Sequence, residues 1–249
     1  MMKTEKKTAT TPQKNAFTIV ESIIVITFFA SIISAIYFVN KINQVNDIKS
    51  LIMQIKKYDI AINAFTQKYH ALPGDVENTV DYGITESNTD GDNNNIITDS
   101  AQKNFSANGE ISNLWMHLSK TKMLDENYDG AEDDKAKIGT TFPISKIGDK
   151  IGILAYGANG KTFYQIGFDF ADYDRLYASD KSLKTTEAYL FDKKIDDANP
   201  KTGRVIAVSG KMLNLLAPDM IKNNNTCIKF AEYNFSVPFP ACQLRIEIK

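Results

Sequence analysis

The first strong pattern in the chain is an uninterrupted apolar run from Phe17 to Val39. As an α-helix its 23 residues extend about 35 Å, enough to cross a hydrocarbon core of about 30 Å. Residues 1–16 are polar and basic, which favours a cytoplasmic N-terminus and places the other side of the helix outside. The pattern therefore predicts a basic leader at 1–16 and a single membrane-spanning helix at 17–39.

The apolar pattern continues past the membrane-spanning run at steps of three and four residues, and lysines lie largely on the other side of the helix. The stripe comprises Ile42, Val45, Ile48, Ile52, Ile55 and Ile62, with Ile60 out of phase. No proline or glycine interrupts residues 17–69, whereas Pro73 and Gly74 are strong helix breakers. We expect an amphipathic continuation over 40–70, which gives one helix of about 80 Å.

A plain membrane anchor is the simplest interpretation of this helix. A secretory signal is less suitable, because its apolar core has about 7–15 residues and a small-residue cleavage site follows it. This run is longer and has no such site after it. Glu21, near the start of the run, argues against a plain anchor because a carboxylate in hydrocarbon is costly.

Residues 71–249 have the pattern of a soluble head with mixed α and β structure. Helices are predicted over 112–120 and 185–194 from their apolar spacing. Alternating or continuous apolar runs predict strands over 151–157, 161–170, 203–209 and 243–249. The fold class is therefore α+β, with a long N-terminal helix packed on a small antiparallel β-sheet.

Composition and charge narrow the classes of function that the chain could have. The 249 residues suffice for one domain with extensions, and the net charge of −1 argues against a nucleic-acid partner. No Ser/His/Asp or paired-carboxylate pattern indicates a catalytic centre, so we expect no enzyme activity. We also expect no required cofactor.

The acidic loop "DGDNNNIITD" is a candidate calcium site. Asp90, Asp92 and Asn94 occupy alternate positions, and calcium prefers clustered oxygen ligands. The loop is not an EF-hand, because Asn95 stands at the sixth place and Ala101 at the twelfth. A solvated Asx turn is the alternative. Asp196 and Asp197 are interpreted as turn residues in the same way.

The two cysteines, Cys227 and Cys242, lie 15 positions apart near the C-terminus. In an extracytoplasmic head we expect them to form a disulfide, which for a loop of this size contributes about 3 kcal/mol in the chain-entropy model. The alternative is a pair of buried free thiols.

The N-terminal residues resemble those of type IV prepilins and type II secretion pseudopilins. That family has a basic leader, a small residue before the cut, then Phe, Thr, an aliphatic pair and Glu, which "A-FTIVE" matches. Ala16 stands where the family usually has glycine. The segments "YHALPGD", "NLWMHLSKTKMLDENYDG" and "EAYLFDKKIDDANPKTGRVIA" resemble heads of a pseudopilin-like group. The resemblance covers residues 14–130 well and 184–245 loosely.

The resemblance implies a structural subunit, a pseudopilin or minor pilin, of a secretion or pilus-like filament. A prepilin peptidase would cut between Ala16 and Phe17, and Phe17 would be N-methylated. Glu21 would then be an assembly contact for the N-terminal amine of a neighbouring subunit. The alternative for Glu21 is a place at the membrane interface, snorkelling or protonated.

The implied partners are the peptidase, other pilin or pseudopilin subunits and an inner-membrane assembly platform. The implied location is the bacterial inner membrane, with one crossing, a cytoplasmic N-terminus and a periplasmic head. Some pseudopilin heads bind calcium, which supports the calcium hypothesis for the acidic loop. The alternative class is a single-pass, membrane-anchored periplasmic binding protein or enzyme, whose helix needs neither Glu21 nor the extended stripe.

Overall fold

The computed structural model describes residues 18–85, 90–98, 107–147, 151–172, 175–177, 183–209, 227–238 and 240–249. The chain divides into two compact units, Met1–Gln44 and Val45–Lys249. Helix α1, Ile19–Tyr69, begins in the first unit and ends in the second. Its 51 residues confirm the prediction of one long helix.

Helix α1 ends where the sequence predicts. His70 follows Tyr69 with a positive φ of 58°, and Gly74 has a φ of 96°. A side chain at position 74 would meet the backbone of helix α2, Glu110–Lys120, with a Cβ only 2.6 Å from the carbonyl oxygen of Glu110. Glycine is therefore required both by the backbone conformation and by the close approach of α2.

Within the second unit, α1 contributes one face to the hydrophobic core. Its buried residues are Ile48, Leu51, Ile55, Tyr58, Ala61, Ile62 and Phe65. Ile60, which is out of phase in the sequence, is 70% exposed. The predicted stripe is confirmed at Ile48, Ile55 and Ile62, and Val45 and Ile52 are only partly buried. The prediction is wrong at Ile42, which is 57% exposed because it precedes the part of α1 that packs on the head.

The head is built on an antiparallel sheet whose main strands are β1 Gly152–Ala158, β2 Lys161–Asp172, β4 Val205–Ser209 and β7 Cys242–Glu247. Their order in the sheet is β1-β2-β7-β4. A short strand β3, Arg175–Tyr177, pairs with the end of β2, and β5 Ile228–Lys229 pairs with β6 Glu232–Tyr233. The four predicted strands are thus confirmed. Strands β1 and β2 form a hairpin at "YGANGK", whose two turn residues both have positive φ.

One face of the sheet packs on α1. The ring centroids of Tyr58 and Tyr164 are 6.3 Å apart, and the Tyr164 hydroxyl donates to Asp59 Oδ1 at 3.3 Å. Arg204 Nη2, just before β4, donates to Asp59 Oδ2 at 2.7 Å, and both side chains of this ion pair are largely buried. The ion pair and the packed rings join α1 to two strands of the sheet.

The other face of the sheet is buried as well. Leu154 and Tyr156 of β1 are fully buried on this face. Gln165 Nε2 donates to Gln243 Oε1 at 3.0 Å, and the Arg245 guanidinium lies 4.9 Å from the Phe163 ring centroid. Polar residues that alternate with apolar ones along β2 and β7 therefore form buried contacts instead of facing water.

Two shorter helices complete the head. Helix α2 confirms the helix predicted over 112–120, and it buries Ile111, Leu114, Trp115 and Leu118, which recur at helical spacing. The Trp115 ring lies 4.8 Å from that of Tyr58 and is stacked on that of Tyr164 at 6.2 Å. Helix α3, Thr185–Ile195, precedes the turn into β4, and two short 3₁₀ turns span Thr79–Tyr82 and Asp133–Lys135.

The two cysteines form the expected disulfide. Cys227 lies directly before β5, Cys242 begins β7, and both are fully buried. The bond therefore ties the β5–β6 hairpin to the central sheet.

The stability of the head should depend on which face of α1 is changed. Ile55 is completely buried, whereas Ile60, five residues on, is 70% exposed. In detergent-solubilised full-length protein, Ile55→Ala should lower the free energy of unfolding by about 2–5 kcal/mol, and Ile60→Ala by no more than about 0.5 kcal/mol. Guanidinium unfolding followed by the fluorescence of Trp115, the single tryptophan, measures both. Equal effects would contradict the assignment of the buried face.

Candidate functional site

The N-terminus of α1 is closed by three reciprocal hydrogen bonds between Thr18 and Glu21. The backbone N–H and the hydroxyl of Thr18 both donate to Glu21 Oε2, each at 2.8 Å. The backbone N–H of Glu21 in turn donates to Thr18 Oγ1 at 3.2 Å. This is a capping box, in which a Thr and a Glu three residues later satisfy backbone donors at a helix start. Glu21 therefore has a partner within its own chain.

This capping role was not predicted from the sequence, although the pattern Thr-x-x-Glu before an apolar run is its signature. Ala16 and Phe17, the residues of the predicted cleavage and methylation, lie outside the described residues. Phe17 directly precedes the capping residue Thr18 in the chain. The predicted new N-terminus is thus one residue from the start of the capping box.

The membrane-length part of α1 presents apolar side chains on all sides. Ile19 is 81% exposed, Phe28 62% and Ile33 67%. Among the helices described, α1 is the one that is long and apolar enough to cross a membrane, and none of its most apolar stretch is buried. Soluble monomeric proteins rarely expose a contiguous apolar surface of this kind. By its length and composition the helix fits a single membrane anchor.

The acidic loop of the head has a different arrangement from the one that its spacing suggests. Asp90 Oδ1 accepts from the backbone N–H and the hydroxyl of Thr79, both at 2.8 Å. Asp90 therefore holds the 3₁₀ turn that begins at Thr79. Asn94 remains beside Asp92, since its Nδ2 donates to Asp92 Oδ2 at 2.9 Å.

The structure groups Asp92 with two carboxylates from elsewhere in the chain. One oxygen each of Asp75, Asp92 and Glu110 lies within 4.8 Å of the other two. Asp75 is fully buried and accepts from the backbone N–H groups of Asn94 and Asn95 at 3.2 and 2.6 Å. The three residues could hold a cation, and calcium binding by this loop stays a prediction.

Glu110 is the most perturbed acid of the cluster. Its Oε2 accepts from the backbone N–H of Thr98 at 2.7 Å, and its Oε1 from that of Asp92 at 3.2 Å. Burial raises the pKa of Glu110 to about 7, the Asp75 and Asp92 charges add to the rise, and the two N–H donors oppose it. Burial likewise raises the pKa of Asp75. At neutral pH the cluster therefore binds a proton readily.

Sequence spacing gave no sign that Asp75 and Glu110 would meet. Asp75 follows the helix-breaking Pro-Gly pair, and Glu110 lies in the first turn of α2. The nearby His117 has a structural role. Its ring is fully buried and stacked on Phe65, and its Nδ1 accepts from the backbone N–H of Gly74 at 2.9 Å.

No family model, curated protein or solved structure matches this chain.

The buried acids predict a pH dependence of stability. Because the pKa of Glu110 in the folded protein, about 7, exceeds its ordinary value of 4.5, this group stabilises the fold fully below about pH 4.5. That contribution is lost as the pH rises through about 7. In EDTA-treated full-length protein, the melting temperature should fall between pH 5 and 7.5, and Glu110→Gln should remove much of this fall.

A second glutamate provides the control for this measurement. Glu126 is half-exposed and its Oε1 pairs with Lys57 Nζ at 2.7 Å. Its pKa is lowered by the Lys57 contact against the opposing effect of burial, so it does not protonate in this pH range. Glu126→Gln should leave the fall in melting temperature unchanged. A wild-type melting temperature that stays constant or rises from pH 5 to 7.5 would exclude this account.

Proposed function

We propose that this chain is a structural subunit, a pseudopilin or minor pilin, of a type II secretion or type IV pilus-like filament. The observation that carries the proposal is the division of one continuous helix into two parts. From Val45 onward α1 is built into the core of the head, and before that it exposes apolar side chains on every side. Such a helix serves both as a membrane segment and as a surface for neighbouring copies.

Packing among copies of α1 is the second part of the proposal. In lipid, helices gain nothing from the hydrophobic effect on associating, so close van der Waals contact must hold them together. The exposed face carries bulky residues such as Ile26, Phe29 and Ile33, which offer a large contact area. Burying these helices against one another would form the filament core.

Glu21 would supply the polar contact of that core. A carboxylate in the centre of a bilayer costs about 3 kcal/mol on insertion scales, and pairing with a cation offsets part of this cost. The free α-amino group of Phe17, exposed by cleavage after Ala16, is the cation that the family resemblance provides. A neighbour's amine would set the axial position of each new subunit.

The proposed processing and location of the chain follow from its basic leader, its long helix and its disulfide. A prepilin peptidase would process and N-methylate the chain, and an inner-membrane platform would add it to other subunits. The basic leader favours a cytoplasmic N-terminus, and hence a periplasmic head in which the Cys227–Cys242 disulfide persists. A single-pass anchored binding protein or enzyme is the competing function, and lipid alone would satisfy its helix.

Variants at the capping box separate the charge of Glu21 from its capping role. Glu21→Gln keeps a residue accepted at this position of a capping box but removes the charge. Thr18→Val removes the capping hydroxyl, at a cost of about 1 kcal/mol, and keeps the charge. If Glu21 pairs with a neighbour's amine, Glu21→Gln should abolish assembly and Thr18→Val should largely retain it. Chemical cross-linking of subunits in native membranes measures assembly.

Carbonate extraction provides the control, because all variants should remain inserted in the membrane. Normal cross-linked ladders in Glu21→Gln together with weak ladders in Thr18→Val would assign Glu21 to capping alone. Normal ladders in both variants and in Glu21→Ala would contradict an assembly role.

A further inference from the structure

The β5–β6 hairpin presents a large aromatic side chain to solvent. Phe230 lies at the tip of this hairpin and is 91% exposed, and Phe235, which follows the hairpin, is 56% exposed. Single exposed apolar residues are ordinary on a protein surface. The backbone that carries Phe230 is what sets this one apart.

The turn at the tip of the hairpin is strained. Lys229 pairs with Glu232 across the hairpin, so Phe230 and Ala231 alone form the turn. Their φ angles are 52° and 69°, a combination for which two-residue turns favour Asn-Gly. A bulky residue in this left-handed region is an outlier, and such outliers cluster at functional sites.

The base of the hairpin is firmly held by the rest of the head. A disulfide joins Cys227, directly before β5, to the first residue of β7. The backbone N–H of Asn234 donates to the Cys227 carbonyl oxygen at 2.8 Å, and the Tyr233 hydroxyl donates to Asp192 Oδ2 at 2.7 Å. The tip is therefore preorganised, which lowers the entropic cost of binding a partner.

A positive charge accompanies the exposed ring at the tip. Lys229 Nζ lies 5.6 Å from the centroid of the Phe230 ring, and both side chains are exposed. Glu232 is opposite Lys229 in the hairpin, but among the residues that the structure describes no carboxylate forms an ion pair with this lysine. The tip therefore fits a partner surface that has exposed apolar groups beside unpaired carboxylates.

The same head carries a surface of that kind in the loop after α1. Val80 and Tyr82, on the 3₁₀ turn of this loop, are 67% and 39% exposed. The rings of Tyr82 and Tyr69, 5.0 Å apart, border a cavity of about 120 Å³ that Glu77 and Asp81 also line. Both acids are exposed, and neither forms an ion pair within the described part of the chain.

We propose that the β5–β6 hairpin of one copy docks on the loop after α1 of a second copy. Phe230 would pack on Val80 and Tyr82, and Lys229 would pair with the two carboxylates that line the cavity. Because the two surfaces differ, every copy keeps a hairpin and a loop for further copies, so the contact adds heads one after another into a row or a ring. The contact does not rest on the proposed filament function, since the heads of a plain membrane-anchored protein would associate in the same way.

Cross-linking between two tagged, co-expressed copies of the full-length protein in native membranes tests the contact. One copy carries Glu232→Cys beside the tip and the other carries Thr85→Cys beside the loop, and both positions are exposed. A short bismaleimide should join this pair. It should not join Glu232→Cys to Ile60→Cys, which is an equally exposed position on α1.

Charge reversal identifies the paired groups. Lys229→Glu in the hairpin copy should lower the yield of the cross-link at least about fivefold, because like charges across an interface repel. Asp81→Lys in the loop copy should restore the yield. The yield should also persist when both copies carry Glu21→Gln, which separates this contact from the proposed assembly role of Glu21.

Relief of the strained turn separates binding from folding. Phe230→Asn combined with Ala231→Gly gives the turn the residues that it favours, so the melting temperature should not fall, yet the cross-link should be lost with the aromatic anchor. The proposal is overturned if the Glu232→Cys and Thr85→Cys copies do not cross-link or if the Ile60→Cys control links as well as they do. It is also overturned if the Lys229→Glu variant or the turn variant cross-links like the parent pair.

Discussion

The central physical constraint on this protein is that one unbroken helix must satisfy two different surroundings. From Ile48 to Phe65 one face of α1 is buried in the core of the head, while the other face meets water. Before Val45 apolar side chains are exposed all round the helix, a surface that soluble monomers rarely leave in water. The head uses the second part of the helix for its core, whereas the first part has no apolar partner within the described residues.

Carboxylates held by donors of their own chain are the second recurring feature. Thr18 donates to Glu21 in the apolar part of α1, and Thr98 donates to the buried Glu110 under the acidic loop. Glu21 is exposed within the single chain, so its surroundings depend on what packs around α1. A carboxylate removed from water favours a counter-charge, whether a proton or an amine. The proposed partner of Glu21 is a neighbour's amine, whereas burial favours a proton on Glu110.

The sequence predicted the elements better than the sites. Periodicity identified α1, α2, α3 and four strands, because apolar spacing directly reflects which face is buried. It did not indicate that Gln243 and Arg245 would be buried, since that depends on what covers the far face of the sheet. Asp75 and Glu110 are 35 positions apart, so only the fold could bring them together. Asp196 and Asp197 lie in the turn between α3 and β4, as expected, and Asp197 Oδ1 accepts from the backbone N–H of Asn199. The burial of the neighbouring Asp192 is not visible in sequence.

The central claim concerns what the N-terminus of α1 becomes in the cell, and the intact mass of the membrane-extracted protein tests it most directly. The account predicts a mass lower by residues 1–16 and higher by one methyl group, with fragmentation placing that methyl on the α-amino group of Phe17. A chain that retains its first sixteen residues in a host with an active prepilin peptidase would contradict the filament-subunit account. It would favour a plain membrane-anchored protein.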